Sequence, residues 1–268
     1  MSSMAKMSLS RAWEESRDVL RRDGRLLAIV ALALIVLPST IQGLVTPRAA
    51  EGALPPLGPW LAVAIATLII AMIGQLAIVR LALGPHTTVG DAIAHGARRM
   101  PVYLAAVLLW IVPVMAVVVF VVTRLDEANP QPAIAIAFFL AMLLIMFLSV
   151  RLVLSSAVAS AEKVGPAAIL QRSWSLSAGN WWRLFAFLLL FIIAVLCLLI
   201  ATSAVAGIAV TTLIGDAEPM SVSALIITLV TQMVVALVSV VFFVMLARIY
   251  VQLAGRGEAQ VGVPTTGI

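Results

Sequence analysis

Residues 184–213 read LFAFLLLFIIAVLCLLIATSAVAGIAVTTL, thirty consecutive positions without a charged side chain. As a helix rising about 1.5 Å per residue, this run is about 45 Å long, more than the roughly 30 Å of a bilayer's hydrocarbon core. Lipid offers no partner to a bare N–H or C=O, so a lone apolar run crosses it as a helix that bonds its own backbone. Five further runs have the same character: 26–45, 59–83, 102–123, 133–158 and 221–250. The pattern predicts an all-α, polytopic membrane protein with six transmembrane helices. The composition is 63% apolar with a mean hydropathy of +1.16, whereas soluble domains are about 45–50% apolar. A water-soluble fold is excluded.

The longest stretches outside these runs are 1–25, 84–101, 159–183 and 251–268. None approaches the length at which a chain buries a core of its own, so none is expected to form a soluble catalytic domain. The expected organisation is a cytoplasmic amphipathic helix over 1–25, a six-helix transmembrane domain over 26–250, and a short disordered cytoplasmic tail over 251–268. The first run follows a leader containing Glu14, Glu15, Asp18 and Asp23. It exceeds a signal h-region of about 7–15 residues and precedes no A-x-A site, so it is expected to remain as an anchor. The single cysteine, Cys197, is deep in the fifth run and reads as a small core hydrophobe.

Charge orients the chain. With the amino terminus and every second loop on one side, Lys6, Arg11, Arg17, Arg21, Arg22, Arg25, Arg80, Arg98, Arg99, Arg151, Lys163, Arg172, Arg183, Arg248 and Arg256 share that side. Only Arg48 and Arg124 lie on the other. Lys and Arg are retained in the cytoplasm, which predicts that both termini are cytoplasmic, with an even number of spans. The pI near 10.3 then reports topology and attraction to anionic lipid. Nucleic-acid binding would need a basic surface or aromatic platform in water, and these loops are too short for either.

Laid side by side, the segments on the basic side show a unit that occurs three times, over about 8–84, 85–162 and 165–250. Each unit contains a short amphipathic stretch that is expected to lie at the interface, a turn, an apolar span, an outer loop and a returning span. The returning spans end alike, in Arg80-Leu81-Ala82-Leu83, Arg151-Leu152-Val153-Leu154 and Arg248-Ile249-Tyr250-Val251. The first amphipathic stretch places Leu9, Trp13, Ser16 and Leu20 on one face, and the third does the same with Ile169, Leu170, Ser173, Trp174 and Ser177. Two spans per unit make successive units enter from the same side, so a pseudo-threefold axis along the membrane normal is expected.

Chemistry inside the membrane has little to work with. The six runs contain no Asp, Glu, His or Lys, so an acid-base pair, a proton relay and a metal cage all lack residues. His86 and His95 lie nine apart around Asp91, which is not the spacing of a helical metal pair, and they read as exposed interfacial side chains. No P-loop, G-x-S-x-G or dinucleotide fingerprint occurs. The chain is therefore expected to be no enzyme, with no metal and no cofactor. Pro38 and Pro113 are each 13 residues beyond the start of their span region, at Arg25 and Met100, and are expected to kink the first and third spans. Gln75 and Gln232 are the remaining strongly polar mid-span groups. Ser203-xxx-Gly207 is a small-xxx-small match that suggests close helix packing. Trp13, Trp174, Trp181 and Trp182 read as interfacial anchors, while the mid-span Trp110 reads as packing. Arg80 and Arg151 reach the inner headgroup level and Arg248 lies further still, so the sixth span is expected to tilt or project; the three either snorkel or form a ring of guanidinium groups that clasps lipid phosphates bidentately.

The stretch Leu170-Gln171-Arg172-Ser173-Trp174-Ser175-Leu176-Ser177-Ala178-Gly179-Asn180-Trp181-Trp182-Arg183-Leu184-Phe185 resembles the membrane-domain family of glycerophosphoryl diester phosphodiesterases and the related small standalone six-span bacterial proteins. The tail Ala247-Arg248-Ile249-Tyr250-Val251-Gln252-Leu253 is similar to the way those chains close. The resemblance implies a membrane module that some members fuse to a separate soluble barrel. No stretch of residues 1–268 is expected to form that barrel or supply its metal-binding acids, so no catalytic residue is expected to carry over.

The sequence thus leads to a noncatalytic integral inner-membrane protein supporting envelope or lipid homeostasis. Its expected partners are anionic membrane lipids or a membrane protein, with no nucleic acid and with oligomeric state left open. The alternative is a small-solute or lipid transporter or channel using the kinked first and third spans.

Overall fold

The computed structural model describes residues 7–47, 58–84, 87–124, 132–213 and 221–261. Among them are nine α-helices, one π-helical turn and no strand. Helix α1 (Leu9–Ala31) passes through the π turn (Leu32–Val36) into α2 (Leu37–Val45) as one rod. Then come α3 (Trp60–Leu83), α4 (Val89–Val122), α5 (Pro132–Leu152), α6 (Ser155–Ala161), α7 (Pro166–Ser177), α8 (Trp181–Leu213) and α9 (Val222–Val261). Six helical stretches are long and apolar enough to cross a membrane, which makes this an all-α, multi-pass membrane protein.

The three units differ locally. In the first two, the amphipathic stretch runs straight into the span, because nothing between Arg25 and Leu26 stops a helix and α4 continues through both Pro101 and Pro113. The expected turn occurs only in the third unit. There Gly179 takes a φ of 76°, a left-handed conformation that a residue without Cβ adopts freely, and it separates α7 from α8. The second unit carries an extra piece. Its returning span breaks at Val153 and Leu154, and α6 follows. Residues 1–25 are likewise no separate helix, since α1 extends to Ala31. At the other terminus, α9 continues to Val261, into the stretch expected to be a disordered tail.

The packed face of α1 also differs from the expected one. Ala12, Ser16 and Val19 are buried while Trp13 is 47% exposed, because small side chains let α1 lie close against its neighbours. The third amphipathic helix buries Ile169, Ser173 and Ser177 of the face read for it, while Trp174 of that face is exposed.

Helix α3 is the centre of the bundle. Leu76, Ala77, Ile78 and Val79 are consecutive and fully buried, so this part of the helix is covered all round. It touches α1, α2, α4, α6 and α9. Two glycines set its spacing. A Cβ on Gly96 of α4 would come 2.6 Å from the Ile73 carbonyl oxygen, and one on Gly74 would come 2.9 Å from the Leu34 Cβ.

Helix α8 lies at the margin, against α9 and α5. Its outer face exposes Leu190, Ile200 and Val205, a band that suits lipid. Cys197 is on that exposed side, not in the core, because α8 has neighbours only on its inner face. A Cβ on Gly207 would meet nothing within 4 Å among the described residues, so the close approach expected of Ser203-xxx-Gly207 is not seen at Gly207 there. Gly96→Ala is expected to lower stability by about 1–3 kcal/mol through overpacking, whereas Gly207→Ala should not lower it. Thermal unfolding of the detergent-solubilised chain reads both.

Candidate functional site

The start of the described chain packs against the α7–α8 turn and the late part of α9. The Met7 backbone N–H donates to Asn180 Oδ1 at 3.0 Å, and Arg183 Nη1 donates to the Met7 carbonyl at 3.1 Å. The Gln252 amide of α9 lies against Ser8 at the start of α1. The start of α1, the α7–α8 turn and the late part of α9 are therefore at one end of the bundle, which also carries most of the described cations.

Helix α6 organises this end. It is built from small residues, and Ser155 to Ser160 are all buried. The Glu162 N–H caps the Val158 carbonyl at 2.8 Å, and the carbonyls that follow need a donor from elsewhere. Arg99 of α4 supplies it: Nε donates to the Ala159 carbonyl at 2.9 Å, and Nη2 donates to those of Glu162 at 2.8 Å and Val164 at 3.0 Å. A cation at a helix C-terminus is also favoured by the helix dipole. His95 Nε2 pairs with the Ser160 carbonyl at 2.9 Å, and the Ser160 hydroxyl donates to the Leu76 carbonyl of α3 at 3.1 Å. Glu162 accepts from Arg172 of α7 at 3.0 Å and from the Tyr250 hydroxyl of α9 at 2.8 Å, joining two more helices.

Beside this lattice is a partly open cavity of about 530 Å³. Its cations are Arg80 at the end of α3, Arg98 and Arg99 on α4, and Lys163 after α6. Asp91 and Glu162 are its carboxylates; Thr87, His95 and Ser160 add further polar groups. Asp91 accepts from the Thr88 hydroxyl at 2.7 Å, and its N–H donates back to that hydroxyl at 3.1 Å, capping the start of α4. Arg98 and Lys163 are exposed, while Arg80 is half-buried. This arrangement is suited to holding an anion. Among the described residues, no group of three or more His, Cys, Asp or Glu side chains is placed to hold a metal.

The three arginines that end the returning spans have three different surroundings. Arg80 lines the basic cavity. The Arg151 guanidinium instead lies 4.9 Å from the centre of the Trp174 ring and 5.4 Å from that of Phe147, an aromatic box that stabilises a cation. Its Nε and Nη1 are buried without a hydrogen-bond partner. Arg248 donates through Nη2 to the Ala82 carbonyl of α3 and so joins α9 to α3. Matching positions in sequence thus do not converge on one cavity.

Trp181 stacks on Phe147 and Phe185 at ring separations of 5.7 Å and 5.2 Å. Trp13, Trp174 and Trp182 are exposed, Trp182 at 75%. His95 is half-buried and bonded to the backbone, unlike the exposed side chain expected; His86 lies outside the described residues. Sequence reasoning counted Arg98, Arg99 and Lys163 only as topological charges. The adjacent Arg98-Arg99 pair and the Glu162-Lys163 loop were the visible signal, but only the fold of α6 brings them together.

The prolines behave differently from each other. Pro38 is buried, with its carbonyl accepting from Thr67 of α3 at 3.3 Å, and the π turn precedes it. Pro113 lies in a continuous helix beside a cavity of about 160 Å³ lined only by apolar residues, including Val117, Ala141 and Leu144. Gln75 Nε2 donates to the Tyr103 hydroxyl at 3.2 Å between α3 and α4.

Fold and site together define an integral, multi-pass membrane protein with a basic cavity at the end of the bundle that holds the start of α1 and the α7–α8 turn. The chain belongs to the family DUF7847, described as a domain of unknown function, whose model matches residues 7–253. No curated protein and no solved structure matches it.

Arg99→Gln is expected to cost about 1–3 kcal/mol, because three charge-assisted bonds to part-buried carbonyls are lost. Arg99→Lys should restore only part of this, since an ammonium does not reproduce the fork. Arg172→Gln removes one partly exposed ion pair and should cost about 1 kcal/mol or less. Melting temperatures of the three variants in one detergent test this order.

Proposed function

We propose that this protein is a noncatalytic component of a bacterial inner membrane that supports envelope or lipid homeostasis by engaging anionic lipid through its cytoplasmic face. One observation carries the proposal: fifteen of the seventeen Lys and Arg residues belong to the side assigned to the cytoplasm. An anionic leaflet attracts such residues by about 1 kcal/mol each near the surface. The exposed Trp13, Trp174 and Trp182 suit headgroup depth, and the contact of Ser8 with Gln252 brings the start of α1 and the late part of α9 to one end of the bundle, in keeping with this reading. The likeness of residues 170–185 and 247–253 to the membrane domain of glycerophosphoryl diester phosphodiesterases is part of the same proposal. It supports a lipid-associated module and brings no catalytic group.

The expected result is that phosphatidylglycerol raises the melting temperature of the purified chain above its value in phosphatidylcholine, with the gain shrinking as salt rises. Indifference to anionic lipid at low salt would remove the proposal. Tag labelling in intact cells and spheroplasts should find both termini protected from outside.

A further inference from the structure

We infer that the cavity between α3, α4 and the loop after α6 is a binding site for a phosphate monoester group. This deepens the proposed engagement of anionic lipid and rests on that reading for the cytoplasmic placement of the site.

The inference starts from the charges. Arg80, Arg98, Arg99 and Lys163 face the same cavity as only two carboxylates, Asp91 and Glu162. With His95 neutral, the lining carries a net charge of +2. Both carboxylates are also engaged away from a ligand. Glu162 is held by Arg172 and Tyr250, neither of which lines the cavity, and Asp91 is held by Thr88 at the cap of α4. A ligand with two negative charges balances this lining. A phosphate monoester carries about −1.5 to −2 at neutral pH, because its second pKa is about 6. A phosphodiester such as phosphatidylglycerol's carries one.

The geometry gives these cations different roles. Arg99 is fixed, because Nε and Nη2 are committed to three carbonyls; it anchors one wall. Arg98 has only Nε committed, to the Ala94 carbonyl of its own helix at 3.2 Å. Arg80 and Arg98 therefore offer guanidinium forks that match phosphate oxygens, and Lys163 adds a point charge. A cavity of about 530 Å³ is within the roughly 300–1,000 Å³ typical of small-molecule sites. It is large enough for a phosphate group with its first waters. The phosphate could arrive on a lipid headgroup or as a free anion, and the same residues would hold either.

The test uses the full chain in phosphatidylcholine nanodiscs, with melting temperature read against added phosphatidic acid, phosphatidylglycerol or inorganic phosphate. Phosphatidic acid is expected to stabilise the chain more than phosphatidylglycerol at equal mole fraction. In Arg80→Gln/Lys163→Gln, half-saturation by phosphatidic acid should need roughly tenfold more ligand, the equivalent of losing about 1.4 kcal/mol. Arg17→Gln/Arg21→Gln removes the same charge from exposed positions on α1, outside the cavity, and should leave that value unchanged. Lys163→Gln alone serves if the double variant melts early in pure phosphatidylcholine.

If inorganic phosphate reproduces the shift and competes with phosphatidic acid, the site takes the phosphate group from solution. If phosphatidic acid acts and inorganic phosphate does not, it takes the group on a lipid. Equal responses to the two lipids, or equal losses in the cavity and α1 variants, would overturn the site while leaving general attraction to anionic lipid intact. Silence from all three ligands would overturn both.

Discussion

A helix that ends inside a protein must hand its last carbonyls to a donor, and much of this structure follows from how that demand is met at α6. The returning fourth span does not simply leave the membrane. It breaks at Leu154 and adds seven small residues that fit between α3, α4, α7 and α9. Arg99 reaches across to bond the Ala159, Glu162 and Val164 carbonyls, and this fixes the chain where it turns toward α7. The same bonds hold Lys163 and Glu162 beside the ends of α3 and α4. Structure and electrostatics are coupled here: the guanidinium that satisfies the backbone also forms a wall of the cavity.

Most of the architecture was legible because the bilayer simplifies the problem. Apolar length alone identifies a span, and one-sided Lys and Arg suggest which ends lie together, as the Met7–Asn180 bond independently requires. Local geometry was less legible. A turn was expected after each amphipathic stretch, yet only Gly179 provides a residue that readily takes the left-handed conformation. Gly24 alone does not stop a helix whose neighbours on both sides favour continuing. Close packing was sought at Ser203 and Gly207 and is instead at Gly74 and Gly96. A small residue in an apolar run does not announce which side of its helix will meet a neighbour.

The candidate site was least legible. Arg80, Arg151 and Arg248 occupy matching sequence positions, but each was settled by what packed beside it: a cavity, an aromatic box and a backbone carbonyl. The residues that join Arg80 come from two separate stretches, and their proximity depends on the break between α5 and α6. Periodicity carries no record of that break. Charge tallies report which side of the membrane a residue belongs to; they do not report which other residue it faces.

The π turn ahead of Pro38 has a consequence for the first unit. The Leu37 N–H reaches back five residues to the Leu32 carbonyl, so one residue more than a regular turn requires is accommodated there. An extra residue offsets the helical phase by about 100°. The first half of the rod can thus present Ala12, Ser16 and Val19 inward while the half beyond presents Pro38 and Thr40, without a loop between them. Length in this segment is consequently an angular setting. Excising one residue from 32–36 would act as a rotation, turning the basic first half about its own axis while leaving every side chain elsewhere chemically unchanged.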